Sequence, residues 1–137
     1  MKKKISIEAL ARQQIKAAYH AGGRRAAETV FGGHEKVLRQ TVMGLLKGAE
    51  IGERGNLDEA TIYVLEGRVQ LWIGDDCWEA RQGSLLILPE ARHRLVAIMD
   101  SALLITVAKL STDPDQRAVP DDVSALEESI REESTTA

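Results

Sequence analysis

Alternation of apolar and polar residues predicts four short strands in the middle of the chain, between residues 59 and 94. Residues 68–73 alternate with a period of two, and residues 60–65 are rich in β-branched and aromatic side chains. Two further runs, 77–80 and 84–88, follow, and Pro89 ends the last of them because proline cannot donate to a strand ladder. Turn signals separate the runs, at positions 66–67, 74–76 and 82–83. Strands this short, with turns this regularly spaced, predict an all-β sandwich or barrel.

Further strands are predicted on either side of this stretch, over residues 26–31, 37–46 and 95–110. Within the last of these, residues 102–108 are the most apolar run of the chain, and we expect them to be buried on both faces. Residues 47–58 are rich in charged residues and glycine, which predicts a loop. Arg39 and Gln40 are consecutive polar residues of one predicted strand, so one of them is expected to face the interior.

A helix is predicted over residues 5–19, ahead of the first strand. Ser6 is its expected N-cap, and Gly22 or Gly23 is expected to take the left-handed conformation after its end. The pair Arg24-Arg25 follows and is interpreted as a solvated loop.

The composition changes at Ser111 to a proline-containing, acidic segment. Residues 121–133 allow a short helix with Val123, Leu126 and Ile130 on one face, and these positions could dock on the barrel or on a partner subunit. A frayed tail is the alternative. The sequence therefore divides into an N-terminal helix and loop (1–24), a barrel (25–110) and an acidic tail (111–137).

Length and charge narrow the choice of protein class. A chain of 137 residues suffices for one domain with a real core. The net charge of −3 is distributed unevenly, because residues 111–137 carry eight acidic and two basic side chains. The rest of the chain is mildly basic and has no tight Lys/Arg stripe, so we expect no nucleic-acid partner. No apolar run is long enough to span a membrane, and the single cysteine, Cys77, fits a reducing cytoplasm. We therefore expect a cytoplasmic protein with no membrane partner.

The central strands carry two motifs that resemble those of the cupin superfamily, which are small jelly-roll barrels. The Y-V-L-x-G strand of the first cupin motif is matched by residues 63–67. The Gly, Pro and His of the second motif are matched by Gly83, Pro89 and His93. The resemblance covers residues 35–110 and implies an all-β, cupin-like jelly-roll β-barrel, here with an N-terminal helix and an acidic C-terminal tail. It also implies a homodimer.

The resemblance implies where a metal would be held, because many cupins bind a divalent metal with three His and one Glu. Counted back from Gly67, the Glu position falls on Ala60, and the His-x-His pair falls on Arg54 and Asn56. Only His93 stands near a family histidine position. A cation at Arg54 would also oppose a metal ion electrostatically. We therefore expect no metal cofactor.

One rebuilt metal site stays open as an alternative. With the longer family spacing, the His-x-His pair falls on Glu53 and Gly55. Glu53, Glu59 and His93 could ligate a metal if a β-bulge turned Glu59 inward. In a regular strand, however, Glu59 and Ala60 point to opposite faces.

The favoured function is the binding of a small polar or anionic molecule in the barrel, in a non-catalytic sensing or regulatory role. The predicted contacts to an anion come from Arg54, His93 and Arg94, and further hydrogen bonds from Gln40, Asn56 and Glu59. One alternative is a cupin enzyme, either an epimerase, isomerase or lyase in which His93 and Glu59 transfer protons, or a metal-dependent oxygenase. Another alternative is a structural dimerisation module with a plugged barrel.

Trp72 and Trp78 lie on neighbouring predicted strands on either side of the turn at 74–76. We expect them to face each other as a cross-strand pair. If exposed, such a pair would indicate a subunit interface. Packing under the N-terminal helix is the alternative.

Overall fold

The structure is a computed structural model that describes residues 4–54, 59–89 and 91–109, with Glu53 and Arg54 described by their backbone alone. In this part of the chain one helix precedes the strands. The elements are α1 (Ile7–Tyr19), β1 (Arg25–Phe31), β2 (Leu38–Leu45), β3 (Glu50–Arg54), β4 (Glu59–Glu66), β5 (Arg68–Ile73), β6 (Asp76–Arg81), β7 (Leu85–Ile87), β8 (His93–Ala97) and β9 (Ser101–Ala108). The four strands predicted from the central alternation are confirmed as β4 to β7.

The strands form two antiparallel sheets. The first sheet has the order β1-β2-β9-β4-β7, and the second has the order β3-β8-β5-β6. Apolar side chains from both sheets form the core between them, including Met43 and Leu45 of β2, Ile105 of β9, Leu71 of β5 and Leu95 of β8. The predicted all-β, cupin-like jelly roll with an N-terminal helix is confirmed. The acidic tail lies outside the described residues.

Helix α1 packs on the outer face of the first sheet. Ser6 caps it by accepting a hydrogen bond from the Ala9 amide at 3.2 Å. The helix lies closest to the sheet over Gly44, where a Cβ atom would lie 2.2 Å from the carbonyl oxygen of Gln14. No helix in the described part of the chain is long and apolar enough to cross a membrane.

The end of the helix differs from the prediction. Arg24, rather than Gly22 or Gly23, takes the left-handed conformation, with φ of 60°. The Arg24 guanidinium donates to the carbonyl oxygen of Lys47 at 3.1 Å, and this bond holds the turn against the start of the next loop. The left-handed residue at this turn is therefore not a glycine, and glycine content alone did not predict its position.

Strand β3 lies where a loop was predicted. Ile51 is its one described side chain in the core, and it pairs with Leu95 of β8. The prediction was wrong because β3 is a short strand at the edge of its sheet, and its mostly charged sequence gives no period-two apolar pattern.

The predicted pairing of Trp72 with Trp78 is also wrong. Trp72 lies opposite Cys77, and Trp78 lies opposite Leu71. Because side chains alternate along a strand, this register places the two indole rings on opposite faces of the sheet.

Candidate functional site

The starts of β2, β4 and β8 and the end of β9 meet at one end of the barrel, which we name the His93 end. Arg39 of β2 and Ala60 of β4 both lie opposite Val107 of β9. His93 of β8 lies opposite Arg54 of β3, and β3 leads along the chain towards the start of β4. Five strands therefore place inward-facing residues at this end of the barrel.

His93 faces the interior of the barrel. Leu95 and Ala97, two and four residues further along β8, both lie in the core, so the alternation of the strand turns His93 to the same side. Its Nδ1 atom lies 3.0 Å from the carbonyl oxygen of Ala91. A carbonyl oxygen can only accept, so Nδ1 carries the proton of this bond.

Arg94 faces the opposite side of the same sheet. Its guanidinium carbon lies 5.2 Å from the centroid of the Trp72 ring, and one guanidinium nitrogen lies 3.6 Å from a carboxylate oxygen of Glu50. These contacts occupy Arg94 on the outer surface, so the structure does not bring it together with His93.

Arg39 faces inward and Gln40 faces outward. Arg39 shares its face of β2 with Met43 and is 7% exposed. The side-chain amide of Gln40 donates to the hydroxyl of Thr106 at 3.2 Å on the other face of the sheet. Of the two consecutive polar residues, Arg39 is therefore the one at the interior.

Glu59 lies on the outer face of β4, where it is exposed. The pairing of β4 with β9 runs without a register shift from Glu59 to Val64, and Ala60 is 6% exposed in the core. The β-bulge that would turn Glu59 towards His93 is therefore not present, and the pair required by the proton-transfer alternative is not brought together.

Two further predicted residues have a limited description. Arg54 is placed by its backbone, directly opposite His93 in the pairing of β3 with β8. Asn56 lies outside the described residues.

The described residues do not fit the three-histidine and one-glutamate metal site of the cupin resemblance. The methyl group of Ala60 stands at the glutamate position and has no ligand atom. The buried guanidinium of Arg39 adds a fixed positive charge at the same end of the barrel. Among the residues that the structure describes, no three His, Cys, Asp or Glu side chains are grouped so that they could hold a metal ion.

The chemistry of the His93 end suits an anion. Arg39 supplies a planar guanidinium whose donors match carboxylate and phosphate oxygens, and His93 supplies an imidazole ring. Ile73 and Leu88 are partly buried against the same core and add apolar wall. The sequence predicted only that either Arg39 or Gln40 faces the interior. Apolar residues occupy both faces of β2, so the sequence does not show which face is the inner one.

Comparisons with solved structures show the cupin fold. The cupin domain of Cnp3 from Schizosaccharomyces pombe is 15% identical, with a TM-score of 0.59 over 72% of this chain and 74% of that one. An RmlC-like cupin from Shewanella frigidimarina is 22% identical, with a TM-score of 0.57 over 67% of this chain and 81% of that one. An HTH_3 family transcriptional regulator from Vibrio cholerae is 18% identical, with a TM-score of 0.55 over 64% of this chain and 52% of that one. No family model and no curated protein sequence matches the chain. At these identities the likeness establishes the fold alone.

Proposed function

We propose that this cupin-fold protein binds a small anionic molecule at the His93 end of the barrel and needs no resident metal to do so. Arg39 provides the fixed positive charge, and His93 in its imidazolium form provides an Nε2–H donor to the anion. The observation that carries the proposal is that Arg39, a buried cation, faces the interior at the same barrel end as His93.

Three of the residues predicted for this site are excluded from the proposed contacts. Gln40, Glu59 and Arg94 each lie on an outer face of a sheet, so the proposed contacts do not include them. Arg54, whose backbone lies opposite His93 in the pairing of β3 with β8, remains a predicted contact. Asn56 also remains a predicted contact and lies outside the described residues.

The proposed role is sensing or regulation rather than catalysis. The proton-transfer alternative pairs His93 with Glu59, and Glu59 lies on the outer face of its strand.

A homodimer is part of the proposal, through a surface that we name the β7 patch, formed by Tyr63, Leu85 and Ile87. Tyr63 lies opposite Leu85 in the pairing of β4 with β7, and Ile87 lies two residues further along β7 on the same outer face. Leu85 is 55% and Ile87 69% exposed. Adjacent exposed apolar side chains of this kind are typical of interfaces, and a second copy of the chain would cover them.

Binding of simple anions tests the proposal. Isothermal titration calorimetry with succinate and inorganic phosphate, and with uncharged 1,4-butanediol as the ligand control, measures affinity at the barrel. We expect His93→Gln and Arg39→Gln to weaken anion binding about tenfold or more, because each removes a charge-assisted hydrogen bond.

Arg94→Gln is the matched control, since Arg94 is the chain neighbour of His93 and lies on the outer face. It should leave anion affinity unchanged. If neither anion binds, or if Arg94→Gln weakens binding as much as His93→Gln does, the proposal is wrong.

A further inference from the structure

An open groove lies on the outer face of the first sheet, between the start of α1 and the strands β1 and β2. Its volume is about 840 Å³. Its lining includes five large apolar side chains, namely Ile5, Ile7, Val30, Phe31 and Leu38. Phe31 is 36% and Leu38 40% exposed, which is much apolar surface to leave in water.

A β-bulge in β1 creates this apolar surface. The pairing of β1 with β2 shifts register between Thr29 and Phe31, and this shift places Phe31 opposite Gln40. Gln40 faces outward, so Phe31 faces outward beside it. Without the extra residue, the alternation of the strand would turn Phe31 to the inner face.

The described chain ends at the rim of this groove. The amide of Lys109 donates to the carbonyl oxygen of Val37 at 2.9 Å. Its ammonium group donates to the carbonyl oxygens of Gly33 at 2.9 Å and His34 at 3.3 Å. Gly33 and Lys36 themselves line the groove, so the C-terminal segment begins beside it.

The segment that follows has a sequence suited to an apolar groove with basic neighbours. Val123, Leu126 and Ile130 are spaced to share one face of a helix. A helix over 121–133 would be about 20 Å long. The linker 110–120 could span up to about 36 Å, which is more than enough to bring this helix back over the groove.

Charge also favours this occupant. Residues 111–137 carry eight acidic and two basic side chains, for a net charge of −6. Lys36 lines the groove, and residues 2–4 are three lysines that directly precede Ile5. Glu35 is the opposing charge among the lining residues, and the described lysines Lys4 and Lys36 outnumber it.

We propose that residues 121–133 of this chain dock as an amphipathic helix in the groove, with Val123, Leu126 and Ile130 against Ile5, Phe31 and Leu38. The β7 patch is the competing surface, and it lies at the far edge of the sheet, beyond β9 and β4 from the groove. This docking is independent of the anion proposed for the barrel.

Disulfide trapping in the full-length chain tests the docking, with Cys77→Ser as the background because Cys77 is exposed. One variant carries Leu38→Cys with Leu126→Cys, and its matched control carries Glu59→Cys with Leu126→Cys. Leu38 and Glu59 lie on either side of Ala108, each directly opposite it, and both are exposed. The two cysteines are therefore equally near the start of the C-terminal segment, and only one of them lies in the groove.

We expect the Leu38 pair to form an intramolecular disulfide about tenfold faster or more than the Glu59 pair, because docking raises the effective concentration of the two thiols. Adding Val123→Asp and Ile130→Asp should make the two rates equal. The proposal would be overturned if the two pairs form disulfides at equal rates without the Asp substitutions, or if the Leu38 pair stays faster with them. It would also be overturned if cross-links form only between two chains. Circular dichroism of every variant verifies that the barrel is folded.

Discussion

His93 and Arg94 are neighbours in the chain and lie on opposite sides of the same sheet. His93 turns towards the core, with its Nδ1 atom 3.0 Å from the carbonyl oxygen of Ala91. Arg94 turns to the outer surface, where its guanidinium lies 5.2 Å from the Trp72 ring centroid. One step along a strand therefore separates a residue of the proposed site from a residue of the surface.

Replacing Arg94 with Ala should lower stability slightly without affecting the site. The change removes a contact with the Trp72 ring and an exposed ion pair with Glu50, so we expect the free energy of unfolding to fall by about 0.5–1 kcal/mol. Urea denaturation followed by tryptophan fluorescence measures this loss. Arg94→Lys is the control, because it keeps the charge and loses the planar group; a loss above that of Arg94→Ala would contradict the assigned contacts.

Replacing Gly44 with Ala should separate α1 from the sheet. The new Cβ atom would lie 2.2 Å from the carbonyl oxygen of Gln14, which belongs to helix backbone and cannot turn away. We expect a loss of about 1–3 kcal/mol in the free energy of unfolding, measured by thermal or urea denaturation.

Gly33→Ala is the matched control for this change. There the new Cβ atom would lie 3.0 Å from the Glu35 carboxylate, which is the end of a flexible side chain. We expect a change within about 0.5 kcal/mol. Equal losses in the two variants would show that the helix does not lie against Gly44 as described.

Asp100 should make stability depend on pH in the acid range. The amide of Lys47 donates to Asp100 at 2.9 Å, and this bond, followed by that from the Tyr19 hydroxyl, lowers the pKa of Asp100. A lowered folded-state pKa stabilises the fold above the unfolded pKa, and the contribution is lost as the pH falls through the folded value. The difference in free energy of unfolding between wild type and Asp100→Asn should therefore shrink below about pH 4. A difference that stays constant from pH 7 to pH 3 would contradict this assignment.

Tyr19 should make stability depend on pH in the alkaline range. The hydrogen bond to Asp100 and the charge of that carboxylate raise the pKa of Tyr19. A raised folded-state pKa stabilises the fold below the unfolded pKa, and the contribution is lost as the pH rises through the folded value. The stability difference between wild type and Tyr19→Phe should therefore shrink above about pH 10. Urea denaturation at pH 7 to 11 measures it, and a difference that grows with pH would be the contrary result.

The β7 patch should control the oligomeric state. Ile87→Asp places a charge at the most exposed residue of the patch and should convert a dimer to a monomer, as measured by sedimentation equilibrium. Trp78→Asp is the control, because Trp78 is half exposed at the edge of the other sheet. Dissociation by the Trp78 variant with an intact Ile87 variant would assign the interface to the other sheet.

Much of the fold follows from the sequence because clear turn signals separate the central strands. Residues 68–73 also alternate with a period of two, and residues 60–65 are rich in β-branched and aromatic side chains. The cupin motifs then fix the order of these strands in a known barrel. Strand β3 escaped prediction because its burial depends on a partner strand more than forty residues later, as Ile51 pairs with Leu95. The residues of β3 alone do not indicate that a strand so distant in the sequence will pair with it.

The site was harder to predict than the fold, because a residue belongs to it only if its side chain lies on the inner face of its strand. Both sides of β2 are covered, one by the core and the other by α1, so hydrophobicity did not distinguish Arg39 from Gln40. For His93, the sequence motif located its strand, and the structure showed that its side chain faces the interior. Glu59 was placed in the candidate site on the condition of a bulge, and only strand register could test that condition.

Lys109 also determines how mechanical load would enter the molecule. Its three hydrogen bonds to Val37, Gly33 and His34 fasten the C-terminal end of β9 to the chain just ahead of β2. A pull on the C-terminal segment would meet this anchor first and would then act along the eight residue pairs that join β9 to β2. A pull directed along β9 would have to break many of these hydrogen bonds together, so tension in that direction would load the β2–β9 ladder in shear.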